Sequence, residues 1–348
     1  SIDLSSIVYT SGSTGEPKGV MLSHQNLIEN TLSIVQYLHI TDCDRMMVVL
    51  PFYYIYGKSL LLTHFCAGGS LVLSDNFIFP NVIIDTMIRF NVTGFAGVPS
   101  TFNLLLNKSK IRNVSINSLR YVTQAGGSMA PSVQHEVADI FSPAKLYIMY
   151  GTTEASPRLT YLEPDMLKIK SGSIGKAIPN VEVIIADENG IALPNGVQGE
   201  IAARGSNIMM GYWKDPLATA SVLKNGFYFT GDIAVTDEDG YIFVVGRKKE
   251  MIKVGGNRVS AKEIEEALIS LPEISEAAAI GVHDNILGEA IKAFVVLKEE
   301  SISDTSTIRQ KLFSVLPSYK VPKYIDFRQS LPKNESGKIM KEMLKNAT

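Results

Sequence analysis

The sequence predicts an α/β protein: an N-terminal parallel-sheet α/β subdomain, a small β-barrel-like subdomain and a compact C-terminal α+β domain. In the first half, apolar strand-like runs alternate with helical patterns, which is typical of βαβ units on a largely parallel sheet. After about Gly172 the runs are short, rich in β-forming residues and separated by Gly, Pro, Asn and Asp, which indicates a mostly antiparallel sheet. From about Arg247, mixed helices and strands fill about 100 residues, the size of a small domain. We place the three regions at residues 1–171, 172–248 and 249–348.

The first region opens on a run at 7–10 that predicts a buried strand, and such a strand needs neighbours on both sides. Because the chain starts at Ser1 without an initiator Met and reaches this strand at once, we expect it to be a piece of a longer protein. Ser23 is a favourable N-cap for a helix at 24–38. Further strands are predicted at 46–50, 70–73, 93–96, 119–123 and 145–150, with helices at 80–90, 100–107 and 131–141.

The second and third regions are predicted from shorter patterns. Strands of the second region are expected at 181–186, 199–203, 227–234 and 241–245. In the third region, Ser260 and Glu263 have the spacing of a capping box, which predicts a helix through Leu271. The remaining elements are strands at 276–282, 291–297 and 324–328, a helix at 305–316 and a last helix from Gly337.

Composition excludes several classes of function. The chain has 348 residues, 45% of them hydrophobic and 20% charged, with a net charge of −2, as expected for a globular enzyme. The balance of charge gives no basic surface for nucleic acid, so we expect no nucleic-acid partner. The most apolar stretch, 46–65, is interrupted by Pro51, Gly57, Lys58 and His64, which favours a buried strand and helix over a membrane span.

The two cysteines, Cys43 and Cys66, lie among apolar residues, and we expect both to be buried, reduced thiols. Neither they nor the five histidines have the spacing of a metal site, so the histidines are interpreted as structural. Together with the lack of a signal peptide, this predicts a cytoplasmic protein.

A segment rich in Gly, Ser and Thr follows the first predicted strand, at 9–19. Backbone N–H groups in such a loop form a concavity for an anion, hydroxyls add donors and a lysine adds charge. The spacing Gly-x2-Gly-x2-Lys-Gly is not the Walker pattern, so a P-loop NTPase is disfavoured, and a plain turn is the alternative. The candidate phosphate-binding residues are Thr10, Ser11, Gly12, Ser13, Thr14, Gly15 and Lys18.

Four further motifs follow in order along the chain: Tyr150-Gly151-Thr152-Thr153-Glu154, Thr230-Gly231-Asp232, Gly246-Arg247-Lys248-Lys249 with Gly255-Gly256, and 332–338 ending in Gly337-Lys338. Together with the glycine-rich loop they resemble the adenylate-forming superfamily, which includes acyl-CoA synthetases, peptide-synthetase adenylation domains and luciferases. The resemblance covers the chain from residue 9 to residue 338. It implies an enzyme that uses ATP and Mg²⁺ to join a carboxylic acid to AMP, and then transfers the acyl group to a thiol.

The resemblance also implies roles for single residues at the nucleotide. Tyr150 offers a flat apolar face for adenine, with Gly151, Thr152 and the small-residue segment at Gly126 and Gly127 beside it. Thr153 is implied near the α-phosphate and Glu154 on Mg²⁺, which suits a hydroxyl next to a carboxylate. Asp232 is implied to bind the ribose hydroxyls, with Arg247 as its partner. Taken alone, Tyr150 could be a core residue and Asp232 a turn residue.

The third region carries the residues that the resemblance assigns to catalysis and domain rotation. Lys338 is implied to be the catalytic lysine of a mobile C-terminal lid, where it would stabilise charge on the carboxylate and the α-phosphate; a solvated surface lysine is the alternative. Lys249 matches the hinge, for which a charged linker is the alternative. Lys253, Gly255 and Gly256 match the face presented for thioester formation.

The acid itself is predicted only by class. The segment 51–57 contains no carboxylate, so the ammonium of an α-amino acid would be buried unpaired, which disfavours such substrates. Tyr54 stands where many acyl-CoA synthetases have His. A candidate apolar acyl pocket is formed by Tyr54 with Phe95, Ala96, Gly97 and Val98, together with Gly126 and Gly127. We expect an aliphatic or aryl acid, as in fatty acid metabolism.

CoA is the favoured acceptor, because the spacing from Glu154 to Asp232 resembles that of CoA ligases. A carrier-protein thiol is the second choice. Members of the superfamily have a further subdomain before the glycine-rich loop, and this sequence lacks it. A fragment that only binds nucleotide is therefore the alternative from a different class.

Overall fold

The computed structural model describes residues 1–10, 17–74, 79–334 and 337–346. It divides into two compact units. The first unit consists of Ser1–Gly127, His135–Thr230 and Ala234–Val244, and the second of Ser128–Gln134, Gly231–Ile233 and Val245–Thr348.

The first unit begins with an antiparallel strand pair. Strand β1 (Leu4–Thr10) pairs with β2 (Lys18–Ser23), and a short strand at Gly211–Tyr212 pairs with the other side of β2. The prediction of a buried strand with neighbours on both sides was wrong for β1. It lies at the edge of this three-stranded sheet, with only Val8 buried and Tyr9 65% exposed. An edge strand next to a functional loop can be as apolar in sequence as a central one.

Helix α1 (His24–Leu38) begins and ends where local signals place it. The Ser23 hydroxyl accepts from the Asn26 N–H at 3.1 Å, and the Asn26 side chain accepts from the Ser23 N–H at 2.8 Å, which closes a capping box. The helix ends at His39, whose φ of 51° is left-handed. These bounds are the predicted ones, so the helix is confirmed at both ends. One face of α1, which includes Leu27, is buried.

A seven-stranded sheet forms the centre of the first unit. Its elements are β3 (Arg45–Val48), α2 (Ile55–Cys66), β4 (Ser70–Leu73), α3 (Pro80–Arg89), β5 (Gly94–Gly97), α4 (Pro99–Lys108), β6 (Tyr121–Gln124), α5 (Pro131–Ile140), β7 (Lys145–Tyr150), β8 (Thr160–Leu162) and β9 (Lys176–Ala177). The strand order is β4-β3-β5-β6-β7-β8-β9, parallel from β4 to β7 and antiparallel beyond it. All four residues of β5 and of β6 are buried, as is typical of parallel strands covered on both faces. The predicted α/β class with a largely parallel sheet is confirmed.

The β-rich region that follows contributes a second sheet. The region contains β10 (Val181–Ala186), β11 (Gly199–Gly205), β12 (Gly211–Tyr212), α6 (Pro216–Val222), β13 (Leu223–Lys224), β14 (Phe227–Thr236) and β15 (Ile242–Arg247). Of these, β12 is the strand that pairs with β2, and the other strands form the second sheet. The order is β10-β11-β14-β13, with β15 paired to β14. The pairs β10–β11 and β13–β14 are antiparallel, in agreement with the predicted antiparallel sheet.

The second unit contains a five-stranded sheet with helices. Its elements are β16 (Met251–Val254), β17 (Asn257–Ser260), α7 (Ala261–Ile269), β18 (Ile274–Asp284), β19 (Gly288–Leu297), α8 (Thr305–Phe313), β20 (Tyr324–Phe327) and α9 (Lys341–Asn346). The order is β17-β16-β19-β18, and β20 lies parallel to β19. Its core is formed by fully buried residues of helices and strands, among them Ile264, Leu268, Ala293 and Ile308.

Two details of the second unit differ from prediction. Ser260 caps α7 by accepting from the Glu263 N–H, but the Glu263 carboxylate pairs with Lys320 Nζ at 2.6 Å instead of completing a capping box. The last helix begins at Lys341 and not at Gly337. Gly337 has a φ of +80°, and Ile339 forms a β-bridge with Lys333, so the helix cannot begin at Gly337.

Both cysteines are free and exposed, so the prediction of buried thiols was wrong. Cys43 lies in the turn between α1 and β3, and Cys66 is the last residue of α2. His64, in contrast, is fully buried, and its Nε2 lies 2.8 Å from the Tyr121 hydroxyl, which is a structural role. Within the described ranges, no helix is long and apolar enough to cross a membrane.

An acid-sensitive anchor holds the turn between β18 and β19. The Asp284 carboxylate accepts from the N–H groups of Ile286 and Leu287, both at 3.0 Å, and from Lys323 Nζ at 2.5 Å. The bond from Lys323, followed by the two backbone bonds, lowers the pKa of Asp284 from 3.8 to about 2. Because the pKa of Asp284 is lower in the folded state than in the unfolded state, its ionised carboxylate stabilises the fold above pH 3.8. This contribution is lost as the pH falls towards 2.

We therefore expect Asp284→Asn to lower the melting temperature at pH 7 by a few degrees, and the difference from wild type to vanish as the pH approaches 2. Calorimetric melting between pH 2 and pH 7 measures this. Asp165→Asn, which removes an exposed carboxylate of the first unit, is the control and should follow wild type. A deficit in Asp284→Asn that persists unchanged to pH 2 would contradict the assignment.

Candidate active site

The glycine-rich segment is held at both ends by β1 and β2. Thr10 pairs with Lys18 in the antiparallel register, and the Thr10 hydroxyl lies 3.5 Å from the Lys18 carbonyl oxygen. The candidate phosphate-binding residues between them, Ser11, Gly12, Ser13, Thr14 and Gly15, lie outside the described residues. Lys18 Nζ lies 5.1 Å from the centre of the Tyr212 ring, in a cation–π contact.

The second motif follows the carboxyl end of β7. Tyr150 is the last residue of the strand, and its half-buried ring packs against the cluster of Ile185, Ile201, Ala234 and Ile242. Gly151 is required by close packing, because a Cβ there would clash with the Pro157 carbonyl oxygen. Residues 152–154 then turn sharply, with Thr152 preceding the 3₁₀ turn Thr153–Ala155.

Two tyrosines fix the side chains of this turn. The Tyr212 hydroxyl donates to Glu154 Oε1 at 2.8 Å, and the Thr152 hydroxyl donates to the Tyr228 hydroxyl oxygen at 3.2 Å. The Met209 N–H donates to the Glu154 carbonyl oxygen at 2.8 Å, so the backbone of Glu154 is anchored as well. Burial, followed by the negative charge of Glu154, raises the pKa of both Tyr212 and Tyr228. Both hydroxyls therefore keep their protons at neutral pH.

Three of the predicted pocket residues come together in the first unit. Gly126 has a φ of +83°, and a Cβ there would clash with the Tyr54 hydroxyl and lie 2.9 Å from Val98 Cγ1. Gly127 faces Pro99, whose Cγ would lie 3.2 Å from a Cβ at this position. A glycine at 126 therefore lets the backbone approach Tyr54 and Val98 closely.

Phe95 and Gly97 face the opposite side of β5. Phe95 is fully buried, with its ring centre 5.9 Å from that of Phe102 and 6.2 Å from that of Phe141. A Cβ on Gly97 would lie 2.8 Å from Thr101 Cγ2 and 2.9 Å from Phe102 Cε2. Successive residues of a strand point to opposite faces, so these two lie in the layer of α4, away from Tyr54.

The close approach at Gly126 gives a stability prediction. We expect Gly126→Ala to lower the free energy of unfolding by about 2 kcal/mol or more, because alanine is strained at positive φ and its Cβ meets the Tyr54 hydroxyl. Gly196→Ala is the matched control: its φ is +80°, but nothing lies within 4 Å of the added Cβ. Chemical denaturation measures both losses. Adding Tyr54→Phe to Gly126→Ala should recover the part due to the clash, and equal losses in the two glycine variants would contradict this account.

In the second unit, Asp232 and Arg247 form an ion pair. Arg247 Nε lies 3.0 Å from Asp232 Oδ1, with 6% of the Asp232 side chain and 42% of the Arg247 side chain exposed. Asp232 follows Gly231, whose φ of +78° turns the backbone within β14. A buried carboxylate fixed by a guanidinium has the geometry to accept hydrogen bonds from a diol.

Lys338 lies between Gly337 and the start of α9. Its N–H donates to Asn334 Oδ1 at 2.9 Å, and its carbonyl oxygen accepts from the Asn334 N–H at 2.9 Å. Although Lys338 as a residue is exposed, its ammonium is within electrostatic reach of Arg247, Glu250 and Asp232. The positive charge of Arg247, followed by desolvation of the ammonium, lowers the pKa of Lys338.

A partly buried ion-pair cluster surrounds Lys341, the first residue of α9. Lys341 Nζ lies 2.6 Å from Glu250 Oε2 and 2.8 Å from Glu265 Oε1. Burial opposes the charge on Lys341, but Glu265 and Glu250 outweigh it and raise the pKa of Lys341. Lys341 is therefore tied to two carboxylates.

The predicted hinge and thioester-forming face occupy neighbouring segments. Lys249 is exposed in the 3₁₀ turn Lys248–Glu250, between β15 and β16. Gly255 and Gly256, with φ values of +55° and +84°, form the two-residue turn between β16 and β17, where Val254 pairs with Asn257. Lys253 is exposed on β16, and its N–H donates to Glu289 Oε2 at 2.6 Å.

The donor set of the first unit fits a magnesium–nucleotide complex better than a bare metal. In the part of the chain that the structure describes, no group of three His, Cys, Asp or Glu residues could hold a metal ion. Mg²⁺ is commonly bound through one or two carboxylates together with substrate phosphates and waters. Glu154 supplies one such carboxylate, next to the hydroxyl of Thr153 in the same turn.

Sequence reasoning missed Tyr212 and Tyr228 as parts of this site. They lie 58 and 76 residues from their partners Glu154 and Thr152, so no local spacing connects them. Gly211-Tyr212 is only a two-residue strand, and its pairing with β2 could not be read from periodicity.

The comparisons with known proteins agree with the motifs. The sequence profile of the AMP-binding enzymes matches residues 2–213, and that of the AMP-binding enzyme C-terminal domain matches residues 263–338. The chain belongs to the AMP-binding enzymes of the adenylate-forming superfamily. The resemblance inferred from the five motifs is confirmed.

Named relatives are similar over nearly all of this chain. A long-chain-fatty-acid–CoA ligase of Escherichia coli O6:H1 is 37% identical over 99% of the chain, which covers 62% of that relative. An oxalate–CoA ligase of Saccharomyces cerevisiae is 33% identical over 99% of the chain, which covers 63% of it. The chain thus spans less than two thirds of the length of these curated relatives.

Solved structures share the fold. ATP-bound MatB from Rhodopseudomonas palustris superposes with a TM-score of 0.91 at 33% identity, over 99% of this chain and 68% of that chain. The o-succinylbenzoate CoA synthetase of Bacillus subtilis, in complex with its acyl-adenylate intermediate, gives a TM-score of 0.90 at 28% identity, over 99% of this chain and 69% of that chain. The predicted fold class is confirmed by these matches.

Proposed function

We propose that this protein is an AMP-forming acid–CoA ligase. A carboxylate oxygen of the acid attacks the α-phosphorus of ATP, the bond to the β-phosphate oxygen breaks, and pyrophosphate leaves. The CoA thiol then loses its proton, its sulfur attacks the acyl carbonyl carbon, and AMP leaves. The names of the relatives, which include fatty-acid, oxalate and o-succinylbenzoate CoA ligases, support this reaction type.

The observation that carries the proposal is the contact between two phosphate motifs through Tyr212. Lys18, from the glycine-rich segment, lies over the Tyr212 ring, and Glu154, from the second motif, accepts from its hydroxyl. One ammonium and one carboxylate are thereby placed around a single ring. This pairing suits a nucleotide triphosphate, whose oxygens bind the lysine directly, while a bound Mg²⁺ would neutralise charge between the phosphates and Glu154.

The other residues are proposed to bind and orient the reactants. The Tyr150 ring would stack on adenine beside Gly151, with Thr152 and Thr153 near the α-phosphate and Gly126 and Gly127 lining the approach. Asp232, oriented by Arg247, would accept from the ribose hydroxyls. Lys338 would stabilise charge on the acid and α-phosphate, and Lys249 would be the hinge that exchanges it for the face of Lys253, Gly255 and Gly256.

For the acid we propose an aliphatic or aryl carboxylate. Tyr54, Val98 and Gly126 offer an apolar wall with one hydroxyl, and this wall carries no carboxylate for an amino group. A pocket of this kind binds its ligand by burial of apolar surface, with a few polar groups fixing its orientation.

Mass spectrometry of the protein with ATP, Mg²⁺, CoA and a panel of carboxylic acids tests the proposal. AMP together with one acyl-CoA is the expected result and names the acid. A carrier-protein thiol offered in parallel detects the other acceptor, and loading of that thiol without any acyl-CoA would replace CoA in the proposal. Nucleotide binding by the complete gene product, without AMP formation for any acid, would overturn the ligase assignment.

A further inference from the structure

Tyr212 is held in place from several sides. It is 8% exposed and belongs to the apolar cluster that includes Val20, Leu22 and Ile55. Its backbone pairs with Val20 of β2, and its N–H donates to the Thr219 hydroxyl at 2.8 Å. Because β2 also carries Lys18, the strand that supports Tyr212 is the one that leaves the glycine-rich segment. The ring is therefore a fixed point between two motifs.

The bond from Tyr212 occupies one oxygen of Glu154 and leaves the other available. The hydroxyl donates to Oε1 at 2.8 Å, and among the described residues no side chain or N–H donates to Oε2. A carboxylate that is tied to the chain at one end and held through one oxygen has few orientations left. The positions open to its second oxygen are therefore restricted, which lowers the entropy lost when that oxygen binds a cation.

We infer that Tyr212 is a positioning residue for metal–nucleotide binding: its hydroxyl orients the Glu154 carboxylate for a divalent cation carried by the triphosphate. This inference rests on the proposed function only for the role of Glu154 at the metal. Tyr212 itself need not touch the ligand.

The alternative is that Tyr212 only packs in the core. Tyr212→Phe separates the two roles, since phenylalanine keeps the ring against Val20 and under Lys18 and loses only the hydroxyl. Tyr121→Phe is the matched control. The Tyr121 hydroxyl is also buried and also lies 2.8 Å from a side-chain partner, His64 Nε2.

The experiment is calorimetric titration of the purified protein with ATP at increasing Mg²⁺ concentrations and in excess chelator. We expect Tyr212→Phe to raise the Mg²⁺ concentration for half-maximal enhancement of ATP binding by about 10-fold, the loss of one hydrogen bond to a charged group. Binding of metal-free ATP should stay within about twofold of wild type, because the lost bond acts only through Glu154. Tyr121→Phe should match wild type in both measurements.

A double variant tests whether the hydroxyl acts through the carboxylate. In the Glu154→Gln background, Tyr212→Phe should have almost no further effect on the Mg²⁺ requirement, since the group it positions is gone. Effects that multiply would overturn the inference. So would an unchanged Mg²⁺ requirement in Tyr212→Phe, an equal shift in Tyr121→Phe, or an absence of Mg²⁺-enhanced ATP binding in the wild-type protein.

The calorimetric titration and the panel of acids test the two proposals separately, so that one proposal can fail while the other stands. If the Mg²⁺ shift is found but no acid is activated, the ligase proposal is wrong and the role of Tyr212 stands for a nucleotide-binding protein. If an acid is activated and Tyr212→Phe shows no shift, the ligase proposal stands and the role of Tyr212 is wrong.

Discussion

Lys338→Ala is expected to reduce acyl-adenylate formation by about 100- to 1,000-fold, the usual loss when one preorganised charge at a transition state is removed. The positive charge of Arg247, followed by burial, lowers the pKa of Lys338, while the carboxylates of Glu250 and Asp232 act in the opposite direction. Transfer of the acyl group from prepared acyl-adenylate to CoA should survive, because that half-reaction is proposed to use the other face of the second unit. Pyrophosphate exchange and thioester formation measure the two steps separately.

The control for this variant is Lys345→Ala. Lys345 is an exposed lysine of α9 that pairs with Glu342 at 3.2 Å, so its removal changes the net charge of the same region by the same amount. It should leave both half-reactions near the wild-type rate. Equal losses in adenylation and thioester formation for Lys338→Ala would contradict the assignment of Lys338 to the first step alone.

Asp232→Ala should weaken AMP binding by about 100-fold. The substitution removes the carboxylate that is proposed to accept from both ribose hydroxyls, so two charge-assisted hydrogen bonds are lost. The test compares AMP with 2′,3′-dideoxy-AMP by calorimetry. Wild type should prefer AMP strongly, and Asp232→Ala should bind the two nucleotides about equally.

Asp326→Ala provides the matched control. Asp326 is also an aspartate of the second unit paired with an arginine, Arg328, at 2.8 Å. Its removal should leave the preference for AMP intact. If Asp232→Ala lowered the affinity for both nucleotides by the same factor, the carboxylate would stabilise the fold around Arg247 and would not bind the ribose hydroxyls.

Much of the fold could be predicted because its signals are local. The Ser23 cap and the apolar face of α1 lie within one segment of sequence. An apolar run such as 145–150 can be predicted as a strand without knowing its partner strands. The failures depend on distant partners. The position of β1 at a sheet edge depends on which strands pair with β2. Glu263 does not complete the capping box, because its carboxylate pairs with Lys320, 57 residues away.

The candidate site shows the same division. The motifs gave the positions of Glu154 and Asp232, because their residue types are clustered in sequence. The partner of Glu154, Tyr212, is determined by tertiary structure alone. The candidate pocket was drawn from consecutive residues of β5, but alternation along the strand puts Phe95 and Gly97 on the face opposite to Val98, so only part of that set lies with Tyr54.

The two exposed thiols make the protein ready for site-selective labelling. Both belong to the first unit, and the sequence from Val245 to Thr348 contains no cysteine. The Asp42 carboxylate, by hydrogen bonding and then by its charge, raises the pKa of Cys43 and keeps it in the less reactive thiol form near neutral pH. Cys43 is therefore alkylated more slowly than an unperturbed thiol. With Cys43 replaced by serine and one cysteine introduced at Lys345, a donor and an acceptor dye would report the distance between the units during turnover.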